Sequence, residues 1–199
     1  MGIHGNATAQ MVLDGAVGTM VGQPNKGMQG MFVMMNAARL GVGNQSLGLT
    51  EVAYQNALAY AKDRIQMRSL SGPKAKDKPA DPIIVHPDVK RMLMMMRAYT
   101  EGCRAMASTA AAAYDAAHHH PDGDTRKQNQ AFYEYLVPLV KGYSTEMSLE
   151  VTSLGVQVHG GMGFIEETGA AQYYRDAKIL TIYEGTTAIQ ANDLVGRKT

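Results

Sequence analysis

The sequence predicts an all-α protein, an antiparallel up-down four-helix bundle preceded by a short β-strand. Three observations carry this prediction. Apolar residues recur every three or four positions over four long segments, and turn-forming residues separate those segments. Methionine, which packs adaptably in helical cores, is abundant at 15 of 199 residues. Long amphipathic helices joined by turns bury their apolar faces by packing as a bundle.

The four helices are predicted over residues 28–68, 88–119, 125–158 and 168–198, the last interrupted near Glu184-Gly185. Pro138 lies inside the third and predicts a kink or a later start. Residues 71–87 are rich in proline and charge and are predicted as a long loop. In the second helix we expect a core-facing stripe formed by Met92, Met96, Tyr99, Cys103, Met106, Ala110, Tyr114 and Ala117.

Residues 1–26 differ from the rest of the chain. They are rich in glycine and threonine, and residues 16–22 have a period-two pattern typical of a strand. Because an isolated strand pair is marginally stable in water, we interpret this segment as the end of a β domain. The sequence thus predicts two parts, a β-domain remnant over residues 1–26 and a helical domain over residues 27–199.

Composition excludes several classes of protein. Lys and Arg number 19 against 18 Asp and Glu, and this net charge of +1 argues against a nucleic-acid or membrane-surface binder. No apolar run is long enough to predict a membrane span. One cysteine, Cys103, allows no intrachain disulfide and favours a cytoplasmic location. No Glu-x-x-His pair predicts a di-iron bundle, and we predict no metal site.

A glycine-rich string is the first candidate for chemistry. Residues 157–164 read Gln-Val-His-Gly-Gly-Met-Gly-Phe. Glycines at a helix end allow a ligand to approach the backbone closely, although the same string also fits a helix C-cap.

Glu184 is the second candidate, because it ends an apolar run and precedes a glycine and a threonine that can cap the next helix. If neighbouring side chains bury it, the loss of hydration makes its carboxylate a better general base. The spacing also fits a solvent-facing glutamate in a turn. The third candidate, Arg64 with Gln66, also fits a solvated helix end.

Together these segments resemble a known family. Residues 174–179 read Tyr-Arg-Asp-Ala-Lys-Ile, residues 182–186 read Ile-Tyr-Glu-Gly-Thr, and Ile189-Gln190 follow. In this order, with the glycine-rich string upstream, they resemble the C-terminal all-α domain of the acyl-CoA dehydrogenase family. Residues 85–90, Val-His-Pro-Asp-Val-Lys, resemble its branch of long-chain-like and methylthiopropanoyl-CoA dehydrogenases.

The resemblance implies an FAD-dependent flavoprotein that desaturates an acyl-CoA thioester to a trans-2-enoyl-CoA in fatty acid β-oxidation. Glu184 matches the family's catalytic base, which takes the pro-R α-proton while the β-hydrogen leaves as a hydride to the flavin N5. Hydrogen bonds to the thioester oxygen, from the glutamate N–H and a flavin ribityl hydroxyl, stabilise the developing enolate. Some members place the base just before the arginine matched here by Arg39, but that residue is Ala38, which cannot act as a base.

The resemblance also implies binding residues. Positions that contact FAD in the same subunit are matched by Thr186 and Gln190. Positions that contact the FAD of a neighbouring subunit are matched by Arg64, Gln66, Gln157, Gly160 and Gly161. In the family, Phe-Gly follows the position matched by Gln66, whereas this sequence has Met67-Arg68 there. Positions at the substrate end are matched by Arg39, Tyr183 and Gly185.

The implied partners are an acyl-CoA substrate, an electron-transfer flavoprotein as electron acceptor, and further copies of the chain in a homodimer or homotetramer. The family's N-terminal helical domain and middle β domain do not fit in 199 residues. We therefore expect the chain alone to bind FAD weakly or not at all and to have no turnover. Two alternatives are a non-catalytic helical oligomerisation module and part of an acyl-CoA oxidase.

Overall fold

The computed structural model describes residues 1–198, and its regular elements are helices. In chain order they are α1 (Gly27–Asp63), α2 (Pro87–His119), α3 (Gly123–His159), α4 (Gly161–Phe164), α5 (Ala170–Leu180) and α6 (Thr187–Asp193). Short 3₁₀ turns cover Ile83–Val85 and Glu166–Thr168, and a π-helical turn covers Leu194–Lys198. None of the helices in this part of the chain is long and apolar enough to cross a membrane.

Local signals explain where α2 and α3 begin, each within two residues of its predicted start. Pro87 occupies the first turn of α2, where its missing N–H leaves no hydrogen bond unmade. Asp122 caps α3, because its carboxylate accepts a hydrogen bond from the Thr125 N–H at 2.8 Å. The helix α3 runs continuously past Pro138, so the later start that this proline allowed is not adopted.

The first helix ends at Asp63, five residues before the predicted position. Arg64 is extended, and Met67 has a left-handed φ of +60°. A contact distant in sequence causes this ending: the Gln66 N–H donates to the Asp81 carbonyl at 2.9 Å, and the Asp81 N–H donates to Met67 at 2.8 Å. The apolar periodicity of α1 carries no information about that pairing.

The predicted N-terminal strand is not formed. Residues 1–26 contain turns, bends and irregular chain without a strand, and nearly all of them are exposed. A strand needs a partner for its backbone groups, and the described residues 1–198 supply none to this segment. The Ile3 N–H of this segment donates a hydrogen bond to the Asp176 carboxylate on α5.

The core lies where α1, α2 and α3 pack against one another, and α5 packs on α1 and α3. Its largest cluster combines small residues of α1, such as Ala57, with Met92 and Met96 of α2 and Val151 of α3. The predicted stripe on α2 is buried at Met92, Met96, Cys103 and Ala110, whereas Tyr114 is 41% exposed. The predicted fourth helix is divided into α5, α6 and the π-helical turn, and the break between α5 and α6 contains Glu184.

Candidate functional site

Glu184 lies in a tight turn between α5 and α6. Its φ is +55° and that of Gly185 is +89°, so two consecutive residues are left-handed. A non-glycine residue pays a conformational cost there, and the surrounding structure has to maintain it. Glycine is required at 185, because a Cβ would also meet the Gln190 side-chain nitrogen at 2.7 Å. Thr186 then caps α6, accepting a hydrogen bond from the Ile189 N–H at 3.4 Å.

Two buried side chains hold the carbonyl groups of this turn. Lys141 on α3 is fully buried, and its Nζ donates to the Gly185 carbonyl oxygen at 2.5 Å. Gln190 is also buried, and its Nε2 donates to the Glu184 and Gly185 carbonyl oxygens, both at 3.2 Å. Burial lowers the pKa of Lys141, and the positive charge of Arg39 lowers it further. Glu184 as a residue is only partly buried.

Arg39 forms a buried ion pair next to the Glu184 turn. Its Nη1 donates to the Asp193 carboxylate at 3.0 Å, and both side chains are almost completely buried. Asp193 is also within 3.4 Å of the Arg197 Nε. These contacts attach α6 to α1 beside the Glu184 turn. In this structure Arg39 therefore has a protein partner, and its contact with substrate stays a prediction.

Tyr183 lines a groove of about 390 Å³ next to the same turn. Its hydroxyl donates to the Gln45 side chain on α1. Burial raises the pKa of Tyr183, and the neighbouring Glu184 raises it further. The remaining wall of the groove is largely apolar and includes Leu49, Val52 and Leu180. An apolar groove beside a carboxylate is suited to an aliphatic chain with a reactive group at one end.

Five of the predicted binding residues line one cavity of about 490 Å³: Arg64, Gln66, Gln157, Gly160 and Gly161. The cavity lies between the end of α1 and the junction of α3 with α4. Its described lining supplies a guanidinium and two carboxamides and contains no carboxylate. Such a donor set is suited to a phosphate-bearing ligand.

The glycines at the α3–α4 junction have different physical roles. Gly160 has φ +61° and ψ −139°, a conformation essentially reserved for glycine. At Gly163 a Cβ would collide with the Val156 carbonyl group. Gly161 lines the cavity, yet a Cβ there would meet no atom within 4 Å. The fold therefore explains Gly160 and Gly163, whereas it does not require a glycine at Gly161.

Asp81 organises the loop that forms one wall of this cavity. Its carboxylate is fully buried and accepts hydrogen bonds from the N–H groups of Ser69, Lys74 and Ala75 at 2.7–2.9 Å. Arg68 Nη1 adds an ion pair at 3.3 Å. The backbone hydrogen bonds, mainly those from Ala75 and Ser69, lower the pKa of Asp81 from 3.8 to about 2.

The same loop contains the Met67-Arg68 departure from the family pattern. Arg68 binds Asp81 and the carbonyl groups of the loop, so its charge serves the loop itself. Met67 is left-handed, 72% exposed and part of the cavity lining. His86 supports this wall from the other side, because its Nε2 donates to the Gln66 carbonyl at 2.9 Å. The backbone at Gln66 is thus anchored despite the two substitutions.

The structure brings the predicted residues together in two groups rather than one. One group surrounds the Glu184 turn, which contacts Lys141, and the other surrounds the cavity at Gln157. Lys141 and Gln157 are 16 positions apart on α3, which corresponds to about 24 Å along the helix. The groups therefore lie far apart on the same helix.

Several residues of these sites were missed by sequence reasoning. They are Lys141, Asp193, Asp81, His86 and His159. His159 stacks on Tyr60 with ring centroids 4.4 Å apart and lines the cavity. One signal was available for Lys141: it is a charged residue on a helix face otherwise formed by buried Val137, Val140 and Ser144. The other four lie in loops or at helix ends, where periodicity is uninformative.

Comparison with known proteins identifies the family. The model of the acyl-CoA dehydrogenase C-terminal domain matches residues 25–198. The chain is 58% identical over 198 residues to 3-methylmercaptopropionyl-CoA dehydrogenase from Ruegeria pomeroyi, covering 100% of this chain and 33% of that protein. It is 37% identical over 206 residues to a butyryl-CoA dehydrogenase from Syntrophomonas wolfei, with the same shares covered.

A solved structure agrees with these matches. Butyryl-CoA dehydrogenase from Megasphaera elsdenii superimposes with a TM-score of 0.71 and 27% identity, over 88% of this chain and 39% of that one. The chain belongs to the acyl-CoA dehydrogenase family and corresponds to its C-terminal helical domain. It spans about a third of the length of the relatives that it matches.

Proposed function

We propose that this domain supplies the catalytic base, Glu184, to an FAD-dependent acyl-CoA dehydrogenase. The observation that carries the proposal is the supported left-handed turn at Glu184. Buried donors on α3 and α6 hold the carbonyl groups of the turn, Glu184 is only partly buried, and the adjacent Tyr183 lines a largely apolar groove. A base held in this way is pre-organised for a substrate whose acyl chain occupies the groove.

In the proposed reaction, Glu184 takes the α-proton of the thioester and becomes a carboxylic acid. Negative charge then develops on the thioester oxygen and needs a hydrogen-bond donor. The Glu184 N–H fits this role, because it has no hydrogen-bond partner within residues 1–198. Tyr183 forms the adjoining wall and excludes water from the apolar side. We assign Gly185 to the substrate end because it matches a family position there, and its glycine allows the left-handed turn that presents Glu184.

The residues present fit a flavin dinucleotide. The cavity around Arg64 and Gln157 offers cationic and amide donors without a carboxylate, and Gly161 leaves space that the fold itself does not require. Arg64, Gln66 and Gln157 would hold the phosphate and adenosine portions. When bound, FAD supplies the oxidising power by accepting the β-hydrogen of the substrate as a hydride.

Thr186 and Gln190 are proposed to bind FAD within the same subunit. The Gln190 amide nitrogen is occupied by the turn, but its buried Oε1 has no partner among the described residues. Since the cavity and the Glu184 turn are about 24 Å apart along α3, we assign the cavity to the FAD of a neighbouring copy. The active form is then a homodimer or homotetramer, with α5 completing a four-helix bundle in each copy.

The remaining assignments follow from the family. Residues 1–26 are proposed to be the end of a preceding β domain, and their exposure fits a segment that packs against such a domain. The high identity with 3-methylmercaptopropionyl-CoA dehydrogenase favours a short acyl-CoA of that kind as substrate. An electron-transfer flavoprotein is the proposed electron acceptor. The single buried thiol, Cys103, is compatible with a reducing cytoplasmic compartment.

The test uses the full-length protein and the substitution Glu184→Gln. We expect flavin content to be unchanged and dye reduction by acyl-CoA to fall by about 10²–10⁴-fold, because general-base catalysis is lost. The control is Glu167→Gln, which changes an exposed glutamate before α5 and should leave turnover intact. Wild-type turnover in Glu184→Gln would overturn the proposal. Oxygen consumption in place of dye reduction would identify an oxidase, and no turnover in the wild type would identify a non-catalytic module.

A further inference from the structure

Lys141 is a buried cation that has no role in the proton transfer proposed above. It lies in the middle of α3 and is fully buried. An ammonium group loses its hydration on burial, so its retention in a core needs compensating contacts. Its neighbours on the same face include Val137 and Val140, and an apolar residue would suit this environment.

The compensating contact is directed at the Glu184 turn. Lys141 Nζ donates to the carbonyl oxygen of Gly185 at 2.5 Å. That carbonyl follows two consecutive left-handed residues, of which Glu184 is not a glycine. Gln190 binds the same oxygen and that of Glu184, but at the longer distance of 3.2 Å. The lysine therefore forms the shorter of the two supports for a strained turn.

The charged residues around Lys141 also connect it with Glu184. Arg39 on α1 repels Lys141, whereas Glu146 on α3 and Glu184 attract it. Arg39 is already paired with Asp193 on α6. Glu146 accepts a hydrogen bond from the Thr187 hydroxyl at 2.5 Å. Glu184 has no ion pair within the described part of the chain, so the field of Lys141 acts on a carboxylate without another cationic partner.

We infer that Lys141 is a positioning residue for proton abstraction by Glu184. Its hydrogen bond to the Gly185 carbonyl oxygen holds the turn in the conformation that presents the carboxylate. This inference rests on the proposed role of Glu184. It adds a role for a residue on a different helix that does not touch the substrate.

The experiment compares Lys141→Met with wild type in the full-length protein, measuring kcat and KM for the acyl-CoA substrate across pH at equal flavin content. We expect kcat to fall by about 10- to 100-fold, as for a displaced catalytic group, while KM changes little. A loss confined to kcat at equal flavin content is the readout that distinguishes a displaced base from weaker substrate binding. Thr152→Val is the control, because it removes a buried hydroxyl on α3 away from the turn.

A purely structural role would lower the amount of folded, flavin-loaded enzyme and leave the kcat of that fraction unchanged, which would overturn the inference. If Lys141→Met does not fold, Lys141→Gln provides a second test: its side chain is one bond shorter, so the hydrogen bond to Gly185 is weakened and kcat should fall as well. Glu184→Gln separates the two proposals. If it remains active, the base assignment fails. If it loses turnover while the lysine variants keep wild-type kcat, only the role of Lys141 fails.

Discussion

Arg39 on α1 and Asp193 on α6 form a buried ion pair 3.0 Å long, with side chains only 8% and 10% exposed. The pair joins the two ends of the helical domain, 154 residues apart in sequence. It lies beside the turn that carries Glu184 and fixes the helix that follows that turn. The geometry of the candidate active site thus depends on a contact that neither local segment contains.

Removing one partner of this pair should destabilise the domain. We expect Asp193→Asn to lower the free energy of unfolding by about 3–5 kcal/mol, because a buried guanidinium loses its counter-charge. Urea unfolding of the purified chain measures this. The control is Lys127→Ala, which breaks an exposed 3.6 Å pair with Asp124 and should cost less than about 0.5 kcal/mol. Equal effects of the two substitutions would contradict the importance of the buried pair.

Asp81 should make stability depend on acid pH. Its folded-state pKa of about 2 lies below its ordinary value of 3.8, so its stabilising effect is complete above that value and is lost as pH falls toward about 2. In Asp81→Asn this part of the pH dependence should disappear. The measurement is the free energy of unfolding at a series of pH values from 2 to 6. Parallel curves for wild type and variant would disprove the assignment.

The glycines around the cavity should separate folding from binding. Gly163→Ala should destabilise the chain by about 1–3 kcal/mol, because the added methyl group collides with the Val156 carbonyl. Gly161→Ala should change stability by less than about 0.5 kcal/mol, since no atom is near. In the full-length protein, however, Gly161→Ala should reduce flavin retention. Normal flavin content in that variant would remove the cavity as an FAD site.

Complementation between copies tests whether the two groups of residues serve different subunits. Glu184→Gln and Arg64→Ala should each impair the full-length homo-oligomer. In a mixed dimer, one site would receive both intact residues, one from each copy. Random pairing should then restore about a quarter of wild-type activity, since half of the dimers are mixed and each has one intact site. Activity no greater than the sum of the separate variants would indicate that both residues serve the same copy's flavin.

The comparison of sequence and structure is most informative at three places. The starts of α2 and α3 were predicted to within two residues, because Pro87 and Asp122 act on the adjacent turn of helix. The predicted end of α1 was wrong, because the position where the helix ends depends on a backbone pairing between Gln66 and Asp81. The prediction of a strand within residues 1–26 was wrong. A period-two pattern indicates which side chains share a face, but it supplies no partner strand.

The sequence by itself determined the family, the helical character and the identity of the candidate base, since motif order and apolar periodicity are written along the chain. Only the tertiary structure decided what surrounds that base. Lys141, Gln190 and Arg39 meet near Glu184 because α1, α3 and α6 pack together there. The burial of a carboxylate, the electrostatic effect of nearby charges on it and the hydrogen bonds that hold its turn all depend on residues that are neighbours in space. Spacing along the chain does not encode those neighbours.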